Sequence, residues 1–193
     1  VGRASVVVLA AGSSSRLGRP KQLVRIADRS LIRIATEAAI GSGAEEVIVV
    51  LGAHAKLIEP EIADLGVRTL INDRWSEGMG CSIATGIGGV ADQSDVALVM
   101  LCDQPTVDAQ HLSSLLERAY ARKADIVATS YEGLLGVPCV FSRRLFPELL
   151  ALQKDAGARD LIRSRDGGVE CVLFRYEQID VDTIADLQRL GAQ

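Results

Sequence analysis

Short runs of Val, Ile and Leu recur along this chain without alternating polar residues, and segments of helical period separate them. Residues 5–10, 46–51, 67–71, 96–101 and 125–129 read as strands, and 31–40, 54–63, 82–90 and 109–122 as helices. A strand that is apolar on both faces must be covered on both, so the alternation predicts a mostly parallel sheet between two helical layers. Glycines supply stop signals for three of the helices: Gly41 and Gly43 after the first, Gly66 near the second, and Gly88 and Gly89 at the third. Beyond Gly133 the pattern is less regular, with strands predicted at 137–141 and 169–174 and helices at 143–152, 158–164 and 183–190. The 193 residues show no repeat, low-complexity stretch or linker, so one domain spanning 1–193 is expected.

Charge and composition narrow the function. The net charge of −4 argues against a nucleic-acid surface, and no apolar run approaches the roughly 20 residues of a membrane helix. The first 33 residues nevertheless hold seven basic side chains and a single acidic one, Asp28. Local positive charge of this kind suits a small polyanion. Arg29 and Arg33, four apart, read better as a solvated helix face. The cysteines at 81, 102, 139 and 171 form no CxxC pair, which favours free thiols in a reducing, cytoplasmic compartment. His54 and His111 are isolated and read as structural or exposed rather than as metal ligands.

The first strand runs directly into Leu9-Ala10-Ala11-Gly12-Ser13-Ser14-Ser15-Arg16-Leu17-Gly18-Arg19-Pro20-Lys21. Small residues there let backbone N–H groups approach a bulky anion, and the serines add donors. Arg16 offers a guanidinium fork and Lys21 a point charge for phosphoryl oxygens. The spacing is not GxxxxGK[ST], and GxGxxG is absent, so neither a P-loop nor a dinucleotide fingerprint is present. A Gly-Ser connection can be a plain turn, but one of about ten residues with two spaced cations exceeds an ordinary strand-to-helix link. Asp103 ends the strand at 96–101 in Leu101-Cys102-Asp103-Gln104-Pro105, a suitable place for a magnesium-binding carboxylate. As a helix cap, Asp108 fits better, because the helix at 109–122 follows it directly.

Taken together, the loop pattern LAAGxSxRxGxxK with Pro20-Lys21-Gln22-Leu23 resembles the nucleotidyltransferases related to the molybdenum cofactor enzymes, especially their cytidylyltransferase branch. Similarity continues through Trp75-Ser76-Glu77-Gly78-Met79-Gly80-Cys81-Ser82, like that family's base-contacting segment, and through Asp103, like its metal-binding motif. Residues 152–159 are similar to a family stretch GDxGAR, and 180–187 to its DIDTPEDL ending. The resemblance implies a single-domain, Rossmann-like α/β/α fold of the nucleotide-diphospho-sugar transferase type. It also implies a nucleotide site at Leu9, Ala10, Ala11, Gly12, Ser13, Ser14, Ser15, Arg16, Lys21, Gly78, Gly80 and Ser82. The Met79 side chain suits core packing as well as a base contact, and Ser82 suits a helix N-cap. A catalytic set of Arg16, Lys21 and Asp103 follows, with Mg2+ on Asp103 and on Asp180 or Asp182.

The implied reaction is in-line attack by a phosphate-bearing acceptor on the α-phosphorus of a nucleoside triphosphate, with pyrophosphate leaving. Ala11 in LAAG, where the guanylyl branch has LAGG, implies CTP, and the family implies molybdopterin as acceptor and a molybdoenzyme or its chaperone as downstream partner. Two positions depart from the family pattern: Val137 replaces a histidine before Pro138, and Lys154 replaces the first glycine of GDxGAR. Both fall on the acceptor side, and the alternatives are GTP as the nucleotide, phospholactate or a sugar phosphate as the acceptor, or a non-catalytic nucleotide- or pterin-binding protein on the same fold.

Overall fold

A computed structural model describes residues 2–165, 167–181 and 183–189. Its elements follow in chain order as β1 (Ala4–Ala10), β2 (Arg25–Ile26), β3 (Arg29–Ser30), α1 (Leu31–Gly41), β4 (Glu46–Leu51), α2 (Ala55–Ile58), β5 (Arg68–Ile71) and α3 (Met79–Gly88). They continue as β6 (Val96–Leu101), α4 (Ala109–Arg122), β7 (Ile126–Tyr131), β8 (Leu134–Ser142), α5 (Phe146–Leu150), α6 (Ala158–Arg163), β9 (Val169–Leu173) and α7 (Ile184–Arg189).

Seven strands make one sheet in the order β5-β4-β1-β6-β8-β7-β9. Neighbours are parallel except at β8, which runs antiparallel to both β6 and β7. Every residue of β1 is buried, as its unbroken apolar run requires. Val6 and Val8 pack with Ile32 of α1 and Leu112 and Leu115 of α4. Val7 and Leu9 face the other way, onto Ile83 of α3, Leu149 of α5 and Ile162 of α6. Successive side chains on one strand thus feed two apolar layers, and each buried Leu or Ile contributes about 1.5–3 kcal/mol. The expected three-layer fold is present.

Parallel pairing also places the site. Leu9 of β1 lies opposite Leu101 of β6, so the loops leaving both carboxyl ends emerge side by side. Such crevices beyond the strand ends bind ligands in open α/β sheets.

Several local expectations change. The helix expected at 54–63 is α helix only over Ala55–Ile58 and continues as 3-10 turns Glu59–Glu61 and Ala63–Leu65, because Pro60 denies the helix a donor. The segment 143–152 likewise divides into a 3-10 turn Arg143–Leu145 and α5. Helix α3 begins three residues before the expected start, capped by Gly78, so Ser82 lies inside it and is no N-cap. A hairpin, β7–β8, turns at Glu132 and Gly133, both with positive φ. Arg29 sits in β3 rather than on a helix; it pairs with Glu37, and Arg33 pairs with Glu37 and Asp64. Asp108 caps α4, accepting from the His111 N–H at 2.8 Å. All four cysteines are free. Among the described residues, no helix is long and apolar enough to cross a membrane.

Candidate active site

The loop after β1 is braced from within by a buried amide. Gln22, in the 3-10 turn Lys21–Leu23, donates from Nε2 to the Ala10 carbonyl at 2.9 Å and to the Gly12 carbonyl at 2.8 Å. Its Oε1 accepts from the Ser14 hydroxyl at 3.3 Å, and that hydroxyl accepts from the Lys21 N–H at 3.0 Å. Ser14 and Gly18 take positive φ to bend the chain (55° and 71°). Fixing Gln22 under the loop therefore also fixes where Lys21 leaves it. Satisfying buried carbonyls in this way matters because each lost partner costs about 1–3 kcal/mol.

Lys21 projects to Asp103, and Nζ forms a direct ion pair with Oδ2. Both side chains are largely buried, 17% and 11% exposed, so the pair is screened far less than a surface one. The loop that carries Asp103 is tied to the stretch between β9 and α7: the Val181 N–H donates to the Asp103 carbonyl at 3.0 Å. That bond draws Asp180 in. Its carboxylate accepts from buried Gln104 Nε2 at 2.9 Å and from Gln178 Nε2 at 3.0 Å.

Two cavities meet at the ion pair. The first, about 300 Å³, lies over the loop and is walled by Ala10–Ser13 on one side and by Trp75, Gly78 and Ser82 on the other. The second, about 440 Å³, is bounded by Arg16, Val137, Asp155, Arg159 and Asp180. Leu9, Lys21, Met79, Leu101 and Asp103 line both. An anionic ligand spanning the junction would meet Lys21 from either side.

The residues expected at the site divide accordingly. Leu9, Ala10, Ala11, Gly12, Ser13, Gly78 and Ser82 border the first cavity, and Arg16 and Asp180 the second. Ser14 and Ser15 border neither, Ser14 being committed to the loop's internal bonds. Gly80 also borders neither and is buried. Its N–H donates to the Lys154 carbonyl at 2.8 Å, and a Cβ there would stand 2.8 Å from the Ala156 carbonyl oxygen. A Cβ on Gly78 would meet Lys154 backbone atoms at 2.3 Å. Close docking on the 153–156 loop therefore explains both glycines, and for Gly80 it displaces the expected ligand approach. Ser82 accepts from Asn72 Nδ2 at 2.9 Å, and Met79 is half exposed between the cavities instead of packed in the core. Asp182 lies outside the described residues.

Among the described residues, no three His, Cys, Asp or Glu side chains gather closely enough to hold a metal by themselves. Asp103 and Asp180, two hard oxygen donors on one cavity, suit a divalent cation whose shell is completed by substrate oxygens and water. Covalent catalysis has little support here. Burial, then the charge of Asp103, pushes the adjacent Cys102 thiol up to about 12, leaving negligible thiolate at neutral pH. Gln22 and Gln104 were not singled out from sequence. Both sit beside residues that were, but their roles depend on carbonyls and carboxylates brought in by folding.

The sequence matches the MobA-like NTP transferase domain over residues 6–169. Nicotine blue oxidoreductase of Paenarthrobacter nicotinovorans is 33% identical, the alignment covering 95% of this chain and 94% of that protein. Purine catabolism protein PucB of Bacillus subtilis is 27% identical over 92% and 89% of the two chains. Among solved structures, Rv0371c of Mycobacterium tuberculosis superposes with a TM-score of 0.88 at 29% identity, covering 98% of this chain and 97% of that one. Its manganese complex superposes at 0.83 with 28% identity, over 97% of each chain. The family match begins in β1 and takes in the braced loop, the Lys21–Asp103 pair and both glycine contacts of α3, and the chain is therefore a nucleotidyltransferase of the MobA-like NTP transferase family.

Proposed function

We propose that this single domain transfers CMP from CTP to a phosphate-bearing acceptor, most simply molybdopterin or its molybdenum-loaded form, in the cytoplasm. The observation that carries the reading is the Lys21–Asp103 pair at the junction of two cavities. One cavity would take the nucleotide and the other the acceptor. CTP over GTP rests on Ala11, and molybdopterin rests on the resemblance of the loop and of residues 152–159.

Asp103 and Asp180 would hold Mg2+, which when bound supplies charge neutralisation and alignment for the phosphoryl oxygens. The chain's own groups do the rest. Lys21, at the junction, would stabilise charge on the oxygens around the α-phosphorus and on the departing pyrophosphate, and Arg16 would add positive charge where the acceptor phosphate approaches. The attacking phosphate oxygen forms its bond to the α-phosphorus as the bond to the β-phosphate oxygen breaks, and no protein nucleophile is required. Gln104 and Gln178 keep the Asp180 carboxylate oriented.

Pyrophosphate release with molybdopterin, magnesium, and CTP or GTP is the direct test. Release with CTP well above GTP supports the assignment. Release with GTP alone moves the base, and none with either nucleotide sinks it.

A second reading follows from the 33%-identical relative that is an oxidoreductase. This chain would then bind a reduced nicotinamide cofactor in the same crevice, without GxGxxG. A saturable fluorescence change on NADH titration would favour it, and a flat titration closes it.

A further inference from the structure

Next to the acceptor-side cavity lies another of about 450 Å³, and Arg159 and Arg163 line both. They are four apart on α6, so they share one helix face. Arg165 adds a third guanidinium to the outer cavity. The two spaces differ in charge. The inner one balances its cations with Asp103, Asp155, Asp160 and Asp180, whereas the outer one has no carboxylate among its described lining residues. Three arginines facing one space in a chain of net charge −4 call for an anion there.

Arg159 is held against β8: a Cβ on Gly136 would lie 3.6 Å from its Nε and 3.6 Å from the Tyr131 ring. Arg165 also pairs with Glu148, but these side chains are 39% and 50% exposed, and a pair so open adds little stability and yields to a better ligand. Between the arginines the wall is apolar or aromatic, formed by Tyr131, Leu135 and Ile162.

We infer that the acceptor carries two anionic groups: the attacking phosphate, near Lys21 and Asp103, and a second anion, such as a phosphate, carboxylate or dithiolate, between Arg163 and Arg165. An apolar or aromatic body joins them across Tyr131 and Ile162. The inference rests on the nucleotidyltransferase reading for the identity of the first group, and it excludes acceptors whose phosphate is their sole charge.

Calorimetric titration of the full chain with α,ω-alkane bisphosphates of graded length, and with the matching alkyl monophosphates, tests it without any nucleotide. The expected result is a bisphosphate that binds at least tenfold tighter than its monophosphate partner. The preference should fall at least fivefold in R163Q or R165Q and persist in R165K. Phosphoryl alkanoates of the same lengths tell whether a carboxylate serves as the second anion. Equal affinities at every length overturn the inference, as does a preference that survives both R163Q and R165Q. Binding of CTP and GTP is measured separately: absence of both in the wild type removes the nucleotide half of the reading, while the two-anion comparison stands or falls on its own data.

Discussion

The first cavity hangs from β1, a fully buried inner strand of the sheet, and its loop is closed by one amide that bonds two carbonyls and a hydroxyl. The second is assembled from pieces distant in sequence: the antiparallel β8, the six-residue α6 and the stretch before Val181 that bonds the Asp103 loop. The first is braced directly on β1, whereas the second takes part of its wall from the short α6, outside the sheet. Val137, one departure from the family pattern, lines the second cavity, and Lys154, the other, lies where the loop at 153–156 meets α3. Neither departure falls on the loop after β1.

The shared boundary gives the largest expected effect. Lys21→Met or Asp103→Asn should lower turnover by about 10²–10³ with thermal unfolding still cooperative, since each removes charge stabilisation where both ligands meet. Pyrophosphate release at saturating substrates is the readout. Wild-type turnover in either purified variant removes that residue from the chemistry.

Gln22→Ala separates the two sides. It strips the Ala10 and Gly12 carbonyls of their amide donor and should destabilise the fold by about 1–3 kcal/mol in urea titrations. KM for the triphosphate should rise while KM for the acceptor holds. Equal increases in both would mean that the two walls do not act separately.

How much of this was legible in the sequence follows the same division. The strands of β1, β4 and β6 read correctly because continuous burial writes continuous apolar runs, and the loop read correctly because its chemistry is local. On the acceptor side the elements expected at 137–141, 158–164 and 169–174 correspond to β8, α6 and β9, but the full length of β8 and its hairpin with β7 do not show in the pattern. Pro138 interrupts the strand pattern of β8, at the place where pairing with β7 shifts register between Ala128 and Thr129. Glu132-Gly133 is a weak hairpin signal compared with Asn-Gly. Two-residue strands such as β2 and β3 are too short to show a period. Gly80 looked like a ligand contact because nothing local reveals a backbone arriving from residues 153–156.

The acceptor side should also be the more acid-sensitive. His111 is buried, its Nε2 is 2.9 Å from the Thr129 hydroxyl, and that hydroxyl donates to the Pro138 carbonyl at 2.7 Å beside the acceptor wall. Phe174 packs edge-on against the ring, and Asp108 is the charged group that opposes the shift. Burial holds the imidazole below its ordinary value. The unfolded chain therefore takes up the proton first: this stabilisation is complete above about pH 6.5 and is lost as pH falls towards the depressed folded value. His111→Gln should flatten the urea midpoint between about pH 7 and pH 5 relative to wild type. An unchanged slope would assign the acid sensitivity to other groups.

The smallest effect distinguishes backbone from side chain at Lys154. This residue is left-handed, with φ 53°, and its carbonyl accepts the Gly80 N–H while Gly78 packs on its backbone. A left-handed conformation costs a side-chain-bearing residue about 1–2 kcal/mol, and glycine escapes that but loses about 0.5–1 kcal/mol more chain entropy on folding. Lys154→Gly should accordingly stabilise the protein by between zero and about 1.5 kcal/mol, up to about 6 °C in Tm for a chain of this size. If Lys154 contributes only its backbone, acceptor KM stays at the wild-type value. A raised acceptor KM in an equally stable variant would instead show that the ammonium group reaches the ligand, and would extend the acceptor wall from β8 and α6 to the loop beneath α3.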